Sequence, residues 1–151
     1  MSGLNGRSQG SPAYDVFLDT SGLLGLTLPR DQWHEATKVA WSALPRQARL
    51  VTTYDVLTEY LSHMAEVGPY YRERATQMTR FVLRDARFLV FEAPVREAFL
   101  LGLDLYERRR DKGYSLVDCI SMQVMTLERI TTILSGDHHF TQEGFQILIR
   151  R

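Results

Sequence analysis

The stretch Tyr14-Asp15-Val16-Phe17-Leu18-Asp19-Thr20-Ser21 decides how the rest of the chain is read. Apolar, β-forming residues run into an aspartate, and two hydroxyl residues follow it. Such a run predicts a buried strand that leaves the core with Asp19 at its carboxyl end. In open α/β sheets, ligands bind in the crevice beyond the carboxyl ends of the strands. An aspartate there either caps the helix that follows or belongs to a site.

Working outward, Thr20 to Leu26 predicts a short helix, which Gly22 and Gly25 loosen at about 1 kcal/mol per glycine. Asp31 caps a second helix in which Trp33, Ala36, Val39, Ala40 and Ala43 recur at helical spacing, and Pro45 ends it. Ala48 to Thr52 is a short strand. Thr53 caps a helix striped by Val56, Leu57, Tyr60, Leu61 and Met64, with Glu59 on the flank of that stripe. Gly68-Pro69 breaks the chain, and a helix from Tyr70 to Arg84 follows. Arg87 to Phe91 is a strand, and Pro94 opens a helix ending in Arg108-Arg109-Arg110. Ser115 starts another helix, with Leu116, Cys119, Ile120, Val124 and Leu127 inward. Ile133-Leu134 is a strand, Gly136 to Glu143 a loop, and Phe145 to Ile149 a closing strand. Alternating strands and helices imply an α/β fold with a largely parallel sheet covered on both faces. Right-handed crossovers then align the strand carboxyl ends along one edge.

The 151 residues suit one domain with a substantial core. Hydrophobic residues make up 44% and charged residues 24%, as in a soluble globular protein. Eighteen basic residues balance eighteen acidic ones, which argues against gripping a nucleic acid by bulk charge but leaves room for local basic patches. The single cysteine, Cys119, excludes an internal disulfide framework and suits the cytoplasm. No apolar run approaches the ~18 residues that span a bilayer, so no membrane role is expected. Residues 1–13, rich in Gly and Ser, are expected to be a disordered tail before a domain at 14–151.

Four carboxylates fall at or near strand ends, and each has a plain structural reading beside the chemical one. Asp19 suits an N-cap. Glu59 suits a solvated helix position. Ser115-Leu116-Val117-Asp118 matches a capping box, which alone accounts for Asp118. Asp137 suits a turn. Yet Asp19 and Asp137 follow strands directly, Glu59 follows one by a short helical step, and Asp118 opens the helix leading into another. All four can therefore converge on one crevice. Carboxylates so clustered need a counter-charge, and hard divalent cations such as Mg²⁺ or Mn²⁺ supply it. Ions of this kind activate water against a phosphodiester.

VFLDTS around Asp19, TTYDVLTE ending in Glu59, YSLVDCISMQVM around Asp118 and SGDHHFTQEGFQIL around Asp137 together resemble the PIN-domain nucleases, particularly the small VapC-like ribonucleases. The resemblance runs from Tyr14 to Ile149. It implies a three-layer α/β/α fold with a five-stranded parallel sheet in the order 3-2-1-4-5. It also implies an Mg²⁺- or Mn²⁺-dependent endoribonuclease whose acidic quartet is Asp19, Glu59, Asp118 and Asp137. The supporting hydroxyls correspond to Thr20 or Ser21 and to Ser135. An RNA substrate, a homodimer built on exposed apolar residues of the Tyr70–Arg84 helix, and a small antitoxin protein filling the crevice follow from the same resemblance. The chain departs from the family pattern at His139, where relatives carry a further acidic residue.

His138-His139 reads either as a contributor to metal or substrate binding, with His138 positioned to contact a phosphate, or, as the favoured reading, as a pair of exposed loop histidines. His34 and His63 read as structural, and Cys119 as a small buried residue. Arg108, Arg109, Arg110 and Lys112 either complement a helix dipole or hold an RNA backbone. Two other function classes compete. A catalytically weak RNA-binding or interaction module would leave Asp19 and Asp118 as mere caps. A phosphoaspartate phosphatase needs a second aspartate where Ser21 stands, and it leans, as receiver domains do, on a downstream lysine, whereas no lysine follows Lys112.

Overall fold

The structure, a computed structural model, describes residues 14–150; the tail expected at 1–13 lies outside them. The elements run β1 (Asp15–Leu18), α1 (Thr20–Thr27), α2 (His34–Ser42), β2 (Arg49–Thr52), α3 (Tyr54–Val67), α4 (Pro69–Arg84), β3 (Phe88–Val90), α5 (Val95–Arg108), α6 (Leu116–Leu127), β4 (Thr132–Leu134), α7 (His139–Gln142) and β5 (Gln146–Ile147). The five strands form one sheet in the order β3-β2-β1-β4-β5. Every pairing is parallel. Right-handed crossovers lay α1 to α4 over one face and α5 and α6 over the other.

β1 sits at the centre because it is the most apolar stretch. Val16, Phe17 and Leu18 are wholly buried, as are Leu50 on β2 and Ile133 and Leu134 on β4. From β1 the chain winds toward β2 on one side and returns to β4 on the other, so the strand order reverses between β1 and β4. Phe17 pairs with Ile133 and Leu18 with Leu134. The next register position brings Asp19 beside Ser135.

Helix starts are fixed locally. Thr53 caps α3 by accepting the Val56 N–H at 3.1 Å. Gly68, at φ +140°, takes a conformation that side chains avoid, and Pro69 then begins α4. His34 is structural, as expected: its Nδ1 meets the Gly25 carbonyl at 2.7 Å.

Several expectations change. Asp31 accepts the Trp33 N–H at 2.8 Å rather than capping α2, and Leu127, expected inward, is 44% exposed. The segment 136–143 is not all loop, because α7 occupies its second half. Its four residues are too few for a periodic pattern to show, and they are held by the wholly buried Phe140 and by the Asp137 carboxylate. The closing strand shrinks to Gln146–Ile147. Gly22 and Gly25 also do more than loosen α1. A Cβ at Gly22 would strike the Leu134 carbonyl, and one at Gly25 the Thr37 hydroxyl. The missing side chains let α1 lie directly on β4 and α2.

Candidate metal centre

Asp19 occupies the N-cap position of α1 but makes no side-chain cap bond. It is 3% exposed. Its Oδ2 accepts the Ser135 hydroxyl at 2.9 Å, while its Oδ1 is buried with no hydrogen-bond partner. A hydroxyl has one proton to give. Ser135 Oγ gives its proton to Asp19, so the 2.8 Å contact between Ser21 and Ser135 has Ser21 as donor. Ser21 Oγ in turn accepts the Gly136 N–H at 3.2 Å, and Ser135 Oγ accepts the Asp137 N–H at 3.0 Å. Of the hydroxyls expected near Asp19, Ser21 and Ser135 thus form its support. The buried Thr20 hydroxyl has no partner.

Burial, followed by the charge of Asp118, pushes the Asp19 carboxyl from its ordinary value of 3.8 up to about 7. The Ser135 hydroxyl and the Thr20 N–H oppose this, and Asp137 adds to it. The charges of Asp118 and Asp137 thus both disfavour ionisation of Asp19.

Asp118 realises its capping box in full. Ser115 Oγ accepts the Asp118 N–H at 3.0 Å, and Asp118 Oδ2 accepts the Ser115 N–H at 3.0 Å. The plain reading is therefore right, and it does not exclude the other. Held by the box, Asp118 Oδ2 lies 3.7 Å from His139 Nδ1, and Asp137 Oδ1 lies 3.3 Å from the same nitrogen. Burial raises the Asp118 carboxyl above its ordinary range, and the charges of Asp137 and Glu59 reinforce the shift. Glu59 is thus near enough to repel Asp118. One ligand atom each from Asp118, Asp137 and His139 falls within 4.8 Å of the others, a grouping able to hold a metal ion. Asp19 and Glu59 are not part of that group.

His139 is the residue whose place was misjudged. It is not an exposed loop histidine: its side chain is 33% exposed and its Nδ1 is buried without a hydrogen-bond partner. Asp137 Oδ1 accepts the His139 N–H at 2.9 Å, a two-residue turn that swings the ring inward. Tyr114 then meets the ring edge-on at 5.2 Å between centroids. Its two-residue spacing from Asp137 was the available signal. Tyr114 and Glu143 gave none. Glu143 Oε1 accepts from Arg109 Nε at 2.7 Å and from the Tyr114 hydroxyl at 3.1 Å, tying the end of α5 to the end of α7.

Two hollows flank the cluster. One, of about 420 Å³, is lined by Tyr106, Arg109, Arg110, Lys112, Gly113 and Tyr114. The other, of about 600 Å³, is lined by Trp33, His138, Thr141, Ile147, Ile149 and Arg150. Arg108, Arg110 and Lys112 are exposed, whereas Arg109 is engaged by Glu143. His138 is exposed beside Asp137.

The donor set fits a divalent cation. It combines several carboxylates, a buried carboxylate oxygen without a partner, and a buried ring nitrogen in the same state. The PIN domain family model matches residues 16–145. Among solved structures, the chain is similar to VapC20 of Mycobacterium tuberculosis, described as a sarcin-ricin loop cleaving toxin. The TM-score is 0.74 at 23% identity, over 86% of this chain and 95% of that one. It is also similar to FitAcB from Neisseria gonorrhoeae, with a TM-score of 0.59 at 14% identity over 88% and 96% of the two chains. Among curated proteins none matches its sequence significantly.

Proposed function

The chain belongs to the PIN-domain family, and from that premise we propose that residues 14–151 form one nuclease domain, a divalent-metal-dependent endoribonuclease. The observation that carries this reading is Asp19. A carboxylate 3% exposed, with one oxygen unpartnered and its acidity suppressed to about 7, costs stability that a cation would offset. Its position at the reversal of strand order is where open sheets bind ligands.

In this reading Asp19, Asp118 and Asp137 hold Mg²⁺ or Mn²⁺, and Glu59 acts through water or on the nucleophile. A bound ion of this kind supplies Lewis acidity and lowers the pKa of water. Ser21 and Ser135 keep the Asp19 carboxylate aimed, and Thr20 packs beside them. Arg108, Arg109, Arg110 and Lys112 on one side, with His138 on the other, hold the RNA backbone across the cluster. The relation to VapC-type folds makes a toxin with an antitoxin partner, acting in the cytoplasm, the natural setting. No helix among the described residues is long and apolar enough to cross a membrane. For the homodimer, α5 offers more exposed apolar surface than α4, with Val95, Phe99, Leu103 and Tyr106 at helical spacing; sedimentation velocity reads the state directly.

Incubating RNA with the protein and Mn²⁺, with and without chelator and beside Asp19→Asn, tests the activity. Cleavage is expected only for wild type with metal. Equal cleavage by the variant, or none by folded wild type with any divalent ion, would sink the assignment and favour an RNA-binding module.

A further inference from the structure

Resting on the metal-dependent reading above, we propose that His139 is itself a ligand of the bound ion, through Nδ1, and that this nitrogen tilts the centre toward Mn²⁺ over Mg²⁺. Four observations converge on it. Nδ1 is buried and makes no hydrogen bond. It stands 3.3 Å from Asp137 Oδ1, in the loop after β4, and 3.7 Å from Asp118 Oδ2, on α6. The ring is fixed by the Asp137 turn at its backbone and by Tyr114 at its edge. Its other nitrogen points toward Gly113, where even an added Cβ would sit 3.5 Å away, so Nδ1 is the atom turned to the acids.

The spacing suits a shared ion better than a direct bond. Two ligands bound about 2.1 Å from one ion stand at most about 4.2 Å apart, twice the bond length. The distances at His139 fall within that limit. A direct hydrogen bond to Asp137 would be shorter and better aligned.

The chemical consequence concerns selectivity. Mg²⁺ takes oxygen ligands almost exclusively and gives up its waters reluctantly. Imidazole suits first-row transition ions, so replacing one carboxylate position by a histidine lowers affinity for Mg²⁺ more than for Mn²⁺. One fewer negative charge on the protein also reduces the repulsion that burial imposes on Asp19 and Asp118.

Electron spin echo envelope modulation on the Mn²⁺-loaded full chain reads the ligand directly, with no need for activity. Imidazole nitrogen modulation is expected in wild type, changed by ¹⁵N-histidine labelling, lost in His139→Asn and retained in His138→Asn. His139→Asp should still bind Mn²⁺ but narrow the Mn²⁺-over-Mg²⁺ affinity ratio by about tenfold, measured by competition. Tightly bound Mn²⁺ without nitrogen modulation in wild type overturns the histidine ligand and leaves a carboxylate centre standing. Modulation that persists in His139→Asn and vanishes in His138→Asn overturns it as well. A folded wild type that binds no Mn²⁺ overturns the metal-dependent reading together with this one. Where His139→Asn fails to fold, His138→Asn decides: histidine modulation retained there upholds the proposal, and modulation lost overturns it.

Discussion

At the scale of single residues, Asp19 carries the largest electrostatic cost in the described structure. Its carboxyl moves from 3.8 to about 7 on folding, which corresponds to roughly 4 kcal/mol between its two protonation states, as an upper bound. Between those values the folded chain keeps a proton that the unfolded chain has released. The folded state therefore binds more protons, and stability falls as pH rises through this window and levels off above about 7. Asp118, raised chiefly by its burial, acts in the same direction. Thermal melts in chelator should show the midpoint dropping from pH 5 to pH 8, and Asp19→Asn should abolish most of the drop. Added Mn²⁺ should restore wild type at pH 8 and leave the variant nearly unchanged. A pH-independent midpoint in chelator would mean that the Asp19 carboxyl is not perturbed as described.

At the scale of elements, the site depends on where helices begin and how closely they lie. Gly22 lets α1 rest on the Leu134 carbonyl, which keeps Ser21 within reach of Ser135. The capping box at the start of α6 does two jobs, since the oxygen that bonds the Ser115 N–H is also the one near His139. Ser115→Ala should cost about 1 kcal/mol of stability as a lost cap. It should also weaken Mn²⁺ binding about tenfold, because Asp118 loses half of its support. Denaturant melts and Mn²⁺ titration measure the two effects separately. A loss of stability with unchanged Mn²⁺ affinity would leave Ser115 a helix cap and nothing more.

At the scale of the whole molecule, a net charge of zero means that any grip on a polyanion is local. The exposed Arg110 and Lys112 line the hollow beside Tyr114, which packs on His139. Removing both by alanine substitution should weaken RNA binding measured by fluorescence anisotropy in chelator. The slope of log affinity against log salt should shrink by about 0.7 for each lost phosphate contact. An unchanged slope would return these residues to complementing the end of α5.

Much of this was legible in the sequence because the signals are local. Burial of β1, the Thr53 cap and the Ser115–Asp118 box each follow from residues within a few positions of one another. So does the alternation of strands and helices that makes the sheet parallel. The family resemblance added the strand order. What the chain alone left open was how far each carboxylate could serve both its local role and a shared one. Asp118 keeps its capping box and stands beside His139, while Asp19 fills a cap position without capping. Only the tertiary structure decided that, because it turns on pairing β1 with β4 across more than a hundred residues. The same closure set His139 against Asp118 and made glycines that weaken an isolated helix into the means of packing one. Distances between remote segments are set by the packing of the whole core, and no local pattern of residue types encodes them.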